Sequence, residues 1–460
     1  MADFEQGRPQ AALEHVSPSG KEAKSDDAMA TIDRAILTLA SGRPQDAEAT
    51  LLKIRPQLDY LAQSDLTEQT KSVLTDDQAR AWSGREFERR MVDNLAVLAS
   101  LTGSRVDAFA IAAQSMEPVY EDLNVLLPDP ALRTRVMVAD FERAESNSDS
   151  AIQQIQLAAN EATSGPAVAG PSPILSAPAR FGPNALAAYL HAIVASESPL
   201  NSDLVQRDLR QVNYWSPDAS INAELGTQTQ TGHGTLHVIT CCGRITDWTA
   251  EAAAPTSASL LLADQILSAV GDHSLPPTIA PVQIARPVDR LSPFASRTVV
   301  RVTGRPQLPQ TISQVVVDLN AAAWDSYSAD RDQQIARAVA RRIVKKGAVY
   351  ATKDQLAVAG GSEVDVLLNV GGMIWEALEK PDVRHLRCLP AHVEAAQLEL
   401  PVGLHEIDLL TSTRDGRPSQ REAQAVRTSV RIEDGRNTVL LCFRPAHDAS
   451  VLLLANPSNE

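Results

Sequence analysis

A glycine followed five residues later by an alanine recurs three times within the first 110 residues. The pairs are Gly7 with Ala12, Gly42 with Ala47, and Gly103 with Ala108. Apolar residues with helical spacing flank each pair on both sides. Glycine can end a helix in a left-handed backbone conformation, and a small alanine lets the next helix approach closely. The spacing therefore predicts a series of helix hairpins.

The repeat period narrows the class of hairpin. Gly7 and Gly42 lie 35 positions apart, close to the period of tetratricopeptide (TPR) repeats. Pro9 and Pro44 each follow two positions later, at the first turn of a helix, where a missing N–H costs little. The bulky aromatic positions of the TPR consensus are mostly absent. We predict an all-α, TPR-like half over residues 1–223.

A fourth, degenerate copy covers residues 184–212, with Glu197 at the glycine position and Ser202 at the alanine position. The word GRPQ also occurs at 304–307, between strand-like segments, so the word alone carries little information. The alternative interpretation is an irregular helical bundle in which GRPQ recurs by chance. The threefold glycine-to-alanine spacing favours hairpins.

The first copy is short, since only six residues precede Gly7. They can form about one and a half helical turns, whereas the first helix of a TPR hairpin has about four. Either this short hairpin is genuine, or the natural start lies upstream with the missing helix and an export signal. The written N-terminus lacks a signal peptide's apolar core, and no run of 18 apolar residues occurs. As written the chain is expected to be cytoplasmic. An upstream start predicts a periplasmic lipoprotein.

The second half has a different pattern. Residues 163–183 carry five prolines and predict a mobile linker, and from about residue 224 short apolar segments alternate with turns. The predicted strands are 234–240, 296–304, 313–319, 393–400, 404–412, 425–432 and 438–445. The loops LPVG (400–403) and EDGRN (433–437) predict antiparallel hairpins, and one helix is expected over 328–360. Residues 224–460 thus predict an antiparallel β-rich domain with one long helix, and the chain as a whole an α+β multidomain protein.

Composition and motifs exclude several functions. A net charge of −15 disfavours general binding to nucleic acid, and only 4% aromatic residues argues against base stacking. No Walker loop, G-x-S-x-G, H-E-x-x-H or dinucleotide-binding glycine motif is present. We therefore expect no catalytic residue, no cofactor and no metal ion.

Histidines and cysteines offer weak alternatives. His233 and His237 are four positions apart, as in helical metal sites, but they lie in a predicted strand, so we expect ordinary strand histidines. The cysteines are Cys241, Cys242, Cys388 and Cys442. They lack zinc-finger spacing and are expected to be buried, inert thiols. A redox-active vicinal pair, or a disulfide in an oxidising compartment, remains an alternative.

Two groups of polar residues are candidates for binding a partner or ligand. Arg337, Arg341 and Lys345 share one helical face and predict either a solvated basic stripe or a surface for an acidic partner. Asp382, Arg384 and His405 lie in a hydrophobic block. They predict either a buried polar network or a ligand site.

Several of these residues also carry a family resemblance. Residues 337–346 and 382–409 resemble an uncharacterised family of bacterial predicted envelope lipoproteins with the pattern R-A-x-x-R, A-D-x-R-x-W-x-x-L-P and P-x-G-x-H. The matching residues are Arg337, Ala338, Arg341, Asp382, Arg384, Leu389, Pro390, Pro401, Gly403 and His405. Gly84, Glu86, Phe87 and Glu88 are similar to a further helix start of the family. Leu386 replaces its tryptophan, and no lipobox cysteine precedes the chain.

The resemblance implies a TPR-like N-terminal half, association with the cell envelope and a neighbourhood of peptidoglycan-synthesis regulators. It implies no catalytic residue. The function predicted from the sequence is therefore a non-catalytic scaffold that binds a protein partner through its helical repeats. Membrane association would come only through an upstream lipid anchor. The alternative is a ligand-binding or enzymatic module centred on Asp382, Arg384 and His405.

Overall fold

The computed structural model of the chain is an α+β protein, with a helical N-terminal half followed by largely antiparallel sheets and a long helix. This is the predicted fold class. The structure describes residues 1–16, 27–63, 81–128, 178–217, 230–270, 275, 279–288, 296–303, 310–357, 380–413, 426–446 and 453–455.

Ten α-helices are assigned within those ranges. They are α1 (Ala2–Glu5), α2 (Pro9–His15), α3 (Asp27–Ala40), α4 (Pro44–Gln63), α5 (Glu86–Thr102), α6 (Ala108–Leu126), α7 (Pro183–Ala195), α8 (Ser202–Trp215), α9 (Ser257–Val270) and α10 (Leu319–Ala357). Short turns join α1 to α2, α3 to α4, α5 to α6 and α7 to α8, and the two helices of each pair pack on each other. Among these helices, none combines the length and apolar character that crossing a bilayer requires.

The first two hairpin turns form as predicted. Gly7 has a φ of 75° and Gly42 a φ of 76°, so both glycines adopt the left-handed conformation that ends the first helix. Pro9 and Pro44 begin the second helices. The alanines of all three repeats are buried, namely Ala12, Ala47 and Ala108.

The role predicted for Gly103 is wrong. Its φ is −102°, and the left-handed residue of this turn is Arg105, with a φ of 60°. Gly103 instead lies against the start of α4. A Cβ there would be 2.9 Å from the Ala99 carbonyl oxygen and 3.6 Å from Pro44 Cβ. Glycine is favoured at this position chiefly because a Cβ would clash with that carbonyl oxygen of its own helix, while Pro44 lies at ordinary contact distance.

The degenerate fourth copy is a helix hairpin, formed by α7 and α8 around a 3₁₀ turn at Pro199–Asn201. Most of the proline-rich segment 163–183 lies outside the described residues. In its described part, from residue 178 onwards, Phe181 is buried with its ring centroid 6.0 Å from that of Trp215, and the predicted mobility of the segment stays a prediction.

In the part of the chain that the structure describes, the strands form three sheets. They are β1 (His233–Cys242), β2 (Trp248–Ala253), β3 (Val282–Pro287), β4 (Ser296–Val302), β5 (Thr311–Ile312), β6 (Gln314–Asp318), β7 (His392–Pro401), β8 (Gly403–Thr413), β9 (Val426–Ile432), β10 (Asn437–Arg444) and β11 (Leu453–Ala455). The central sheet has the order β11-β10-β1-β7-β6, the outer sheet β5-β4-β8-β9, and β2 pairs with β3. All pairs are antiparallel except β1 with β10.

Both hairpins predicted from LPVG and EDGRN are wrong. The chain leaves β7 in the central sheet and enters β8 in the outer sheet across Val402. It returns from β9 in the outer sheet to β10 in the central sheet. A short loop can connect two strands of one sheet in a hairpin, or it can lead the chain from one sheet into another that packs on it. A third connection of the second kind occurs at Ser313, between β5 in the outer sheet and β6 in the central sheet.

The sheets and helices stack in three layers. Alternate side chains of a strand point to opposite faces: on β1, Ile239 and Cys241 join the helical core, whereas Leu236 and Val238 face the outer sheet. Helices α3, α5 and α7 contact strands of the central sheet. One continuous core thus spans both halves of the chain, and the boundary at residue 223 stays a prediction.

The long helix α10 begins nine residues earlier than predicted. Asp318, at the end of β6, accepts a hydrogen bond from the Ala321 backbone N–H at 3.0 Å and so satisfies a donor of the first turn. The helix then packs against α9 and β3.

Candidate functional site

Asp382 and Arg384, two of the predicted site residues, bind each other. Arg384 Nε and Nη2 donate to the two carboxylate oxygens of Asp382, each at 2.8 Å. Arg85, at the start of α5, donates to the Arg384 and Asp382 carbonyl oxygens at 2.9 and 3.3 Å. Its guanidinium lies 3.5 Å above the Trp248 ring centroid. Arg85 therefore holds the loop that contains this pair against the helical layer.

That loop, residues 380–391, is called the docking segment below. Two buried carboxylates of the helices accept hydrogen bonds from its backbone. Glu88 accepts from Leu386 N at 3.0 Å, and Asp33 accepts from Cys388 N at 2.9 Å. Because a strand ladder is missing here, helical side chains satisfy the backbone of an irregular segment. Leu386, at the family's tryptophan position, is buried in this contact.

His405 has different surroundings from Asp382 and Arg384. It lies on β8 in the outer sheet, opposite Val430 of β9. Its Nε2–H donates to the Pro401 carbonyl oxygen at 2.7 Å, across the corner between β7 and β8. The structure does not bring the three residues together.

The basic stripe is only partly at the surface. Arg341 of α10 is 4% exposed, while Arg337 is half-buried. The side chain of Lys345 lies outside the described residues. The neighbouring Arg342 donates to the carbonyl oxygens of Ala280 and Pro281, both at 3.1 Å. A continuous exposed stripe through Arg341 is thus excluded.

His237 lies on β1, as predicted for a strand histidine, and is fully buried. Asn437 Nδ2 donates to the Ile193 carbonyl oxygen, so its Oδ1 accepts from His237 Nε2–H at 3.1 Å. His237 Nδ1 then accepts from the Tyr189 hydroxyl at 2.9 Å. Burial lowers the pKa of His237 to about 4, although the Asn437 hydrogen bond opposes the shift. This histidine is a neutral link between α7 and the central sheet.

A second buried polar group, the Glu394 cluster, lies between the central and outer sheets at one end. It consists of Cys242, Ser313, His392, Glu394 and Arg444. Glu394 Oε1 accepts from His392 Nε2–H at 3.1 Å and lies 3.4 Å from Arg444 Nη2. Glu394 Oε2 accepts from the Ser313 hydroxyl at 2.6 Å. Arg444 Nη2 also donates to Cys242 Sγ at 3.0 Å.

The charges in the cluster follow from these contacts. Burial by itself would raise the pKa of Glu394. The His392 hydrogen bond, the Arg444 charge and the Ser313 hydrogen bond outweigh burial and lower it to about 2. Burial, reinforced by the Glu394 charge, raises the pKa of the Cys242 thiol well above its usual range, against the effect of Arg444. At neutral pH the cluster holds a carboxylate, the Arg444 guanidinium and a neutral thiol, and a second guanidinium, that of Arg297, lies 3.7 Å from Glu394 Oε1.

The sequence analysis missed this cluster. Its signal is a polar residue on an otherwise apolar strand face: His392 and Glu394 precede Ala396 and Leu398 on one face of β7. Cys241 and Cys242 point to opposite faces of β1, so their two thiols are not placed as a redox-active pair. All four cysteines are free and buried, as predicted for inert thiols.

The helix-hairpin turns adjoin one another along one edge of the helical layer. This hairpin-turn edge comprises residues 41–44, 103–107 and 196–201. Gly103 lies against Pro44, and Arg105 forms an ion pair with Glu197 at 2.6 Å. Its apolar side chains are exposed: Val106 by 81% and Leu200 by 92%.

Phe109, the second residue of α6, flanks the hairpin-turn edge. It is 44% exposed, and its ring centroid lies 5.6 Å from that of His191. His191 lies beneath it and bonds to the Asp208 carboxylate at 2.6 Å. The edge thus offers apolar side chains next to charged ones.

Neither a protein-family model, nor a curated protein, nor a solved structure matches this chain. The class that the structure defines is an α+β protein in which helix hairpins pack on a two-sheet sandwich. The resemblance to envelope lipoproteins remains a prediction.

Proposed function

We propose that the protein is a non-catalytic scaffold that binds a protein partner through its helix hairpins. The observation that carries this proposal is the exposure of Val106 and Leu200 on neighbouring turns. Isolated exposed apolar residues are common on soluble proteins. Two on adjoining turns, flanked by Phe109 and by the ion pair between Arg105 and Glu197, have the apolar centre and charged rim of a protein interface.

The docking segment supports the choice of this edge over the inner face of the hairpins. Asp33 and Glu88 already hold the backbone of this segment, and α3, α5 and α7 pack on the central sheet. The inner face is therefore filled by the chain's own second half. A partner is expected at the hairpin-turn edge, where the turns reach solvent.

The expected partner presents an apolar segment with neutral or basic flanks, since the chain carries a net charge of −15. The matched test compares the wild type, V106S/L200S, and a control, V125S. Val125 is 76% exposed but lies at the opposite end of α6. A partner identified with the wild type is purified, and its affinity for all three proteins is measured.

We expect the double variant to lose at least about tenfold in affinity, equivalent to about 1.4 kcal/mol, and V125S to bind like the wild type. Equal binding by all three proteins would reject the hairpin-turn edge. A chemical reaction found in an activity screen, with no partner recovered, would reject the scaffold.

We also propose, on the family resemblance alone, that the protein works in the cell envelope. Fractionation of cells that express the gene from its own chromosomal locus tests this. Recovery with the envelope fraction supports the proposal, and recovery only with the cytoplasmic fraction contradicts it.

A further inference from the structure

Three groups in the Glu394 cluster carry ligand atoms that transition metals prefer. Cys242, His392 and Glu394 each offer one such atom, and these atoms all lie within 4.8 Å of one another. All three side chains are buried. Cys242 and His392 are partners in the ladder between β1 and β7, so the backbone holds them rigidly. Thiolate, imidazole and carboxylate together are typical ligands of Zn²⁺.

Glu394 is positioned as metal-binding carboxylates are. Its Oε2 accepts from the Ser313 hydroxyl at 2.6 Å and from Thr298 N at 3.0 Å. These two donors fix the carboxylate plane and direct Oε1 towards His392 and Arg444. Such outer contacts orient metal ligands and are part of the affinity of a site.

The positively charged Arg444 guanidinium lies against two of these three ligand atoms. Its Nη2 lies 3.0 Å from Cys242 Sγ and 3.4 Å from Glu394 Oε1. Its Nη1 is buried, and no hydrogen-bond acceptor for it is found among the described residues. The guanidinium therefore lacks part of its hydrogen bonding there. A metal ion could take its position beside the same sulfur and carboxylate oxygen.

We propose that Cys242, His392 and Glu394 form a binding site for a divalent transition metal ion such as Zn²⁺, which Arg444 closes while no metal is bound. This site is independent of the hairpin-turn edge and of the proposed scaffold function.

Metal binding changes the protons and contacts of three side chains. The Cys242 thiol loses its proton to solvent, and the sulfur becomes a thiolate ligand. The His392 proton moves from Nε2 to Nδ1, which frees Nε2 to bind. Arg444 keeps its proton and moves away from Sγ and Oε1. One proton is released for each metal ion bound.

The probe is Co²⁺, because thiolate coordination gives it a charge-transfer absorption band in the near ultraviolet. The full chain, reduced and free of metal, is titrated with Co²⁺ and then with Zn²⁺. We expect the band to saturate at one equivalent, with one proton released, and Zn²⁺ to abolish it. These measurements need no variant, so they stand even if a substitution impairs folding.

Variants then locate the site. C242S is expected to lose the band, whereas C241S keeps it, because Cys241 faces the helical core instead. R444M is expected to bind Co²⁺ on the order of tenfold more tightly, since a competing positive charge is removed. Circular dichroism establishes that each variant is folded.

Absence of the band in the wild type overturns the proposal, as does a band that survives in folded C242S. If R444M binds Co²⁺ no more tightly than the wild type, the closing role of Arg444 is rejected.

Discussion

Asp33 of α3 accepts a hydrogen bond from the backbone N–H of Cys388 at 2.9 Å, across 355 positions of sequence. Its second oxygen accepts from the Arg387 N–H at 3.3 Å. A single helical carboxylate thus satisfies two consecutive backbone donors of the docking segment. This contact ties the helical half of the chain to the second half.

Replacing Asp33 by asparagine is expected to destabilise the protein. The amide keeps one acceptor oxygen, but its NH₂ group then faces the second backbone donor, which loses its partner while buried. At pH 4, where the contribution of Asp33 is largest, we expect a loss of about 1–3 kcal/mol in the free energy of unfolding. Urea denaturation measures it, with D264N as the control, because Asp264 is exposed on α9. Equal destabilisation by both substitutions would contradict this role.

The pH dependence of stability is expected to change in the same variant. Burial raises the pKa of Asp33 from 3.8 to about 6, although the Cys388 and Arg387 N–H groups oppose the rise. Because the folded pKa is above the unfolded one, the folded state binds more protons between pH 4 and 6. The contribution of Asp33 is therefore largest below pH 4 and is lost as pH rises through about 6.

That difference in pKa corresponds to a contribution of about 3 kcal/mol. Wild-type stability minus D33N stability should decrease between pH 4 and 6 in urea titrations. A difference that is constant with pH, or that increases, would mean that Asp33 does not titrate as its burial requires.

Glu394→Gln tests the charge balance between the sheets. The substitution keeps the shape of the side chain but leaves the Arg444 guanidinium buried without its carboxylate. We expect a loss of about 3–5 kcal/mol, typical of a buried ion pair with one partner removed. E399Q is the matched control, because Glu399 is exposed on the same strand and should cost less than about 1 kcal/mol. Thermal or urea unfolding distinguishes the two, and similar losses would refute the charge argument.

The two kinds of hairpin glycine should respond differently to asparagine. Gly42 is left-handed, and a Cβ there would meet nothing within 4 Å. Since asparagine tolerates this conformation, G42N should cost less than G42A, for which about 1 kcal/mol is expected. At Gly103 the cost is steric, so G103A should lose on the order of 1–3 kcal/mol and G103N at least as much. Unfolding curves of the four variants give the order, and a rescue of Gly103 by asparagine would contradict it.

The repeat predicted the hairpins correctly because glycine and alanine act there through local geometry. It did not predict the role of Gly103, since glycine is favoured there by steric crowding, with a Cβ only 2.9 Å from the Ala99 carbonyl oxygen. Glycine at the same position of the repeat thus has two different structural roles. Only the backbone conformation of each turn and the space around its glycine distinguish them.

Most strands were predicted, but their partners were not. Val402 alone connects β7 to β8, a connection as short as that of a hairpin. The two strands nevertheless belong to different sheets. The Glu394 cluster was missed for a related reason. Its groups come from β1, β7 and β10 and from the Ser313 corner, so no spacing in the sequence records that they meet.

The parallel pairing of β1 with β10 has a consequence for how the protein is made. His237 and Asn437 hydrogen-bond to each other across 200 positions, and β10 lies between β1 and β11 in the central sheet. On the ribosome, β1 emerges long before β10 has been synthesised. Until then, one edge of β1 is unpaired and the helices that pack on the central sheet keep part of their apolar surface exposed. Release of a chain cut before β10 would leave that edge permanently open to pairing with other chains.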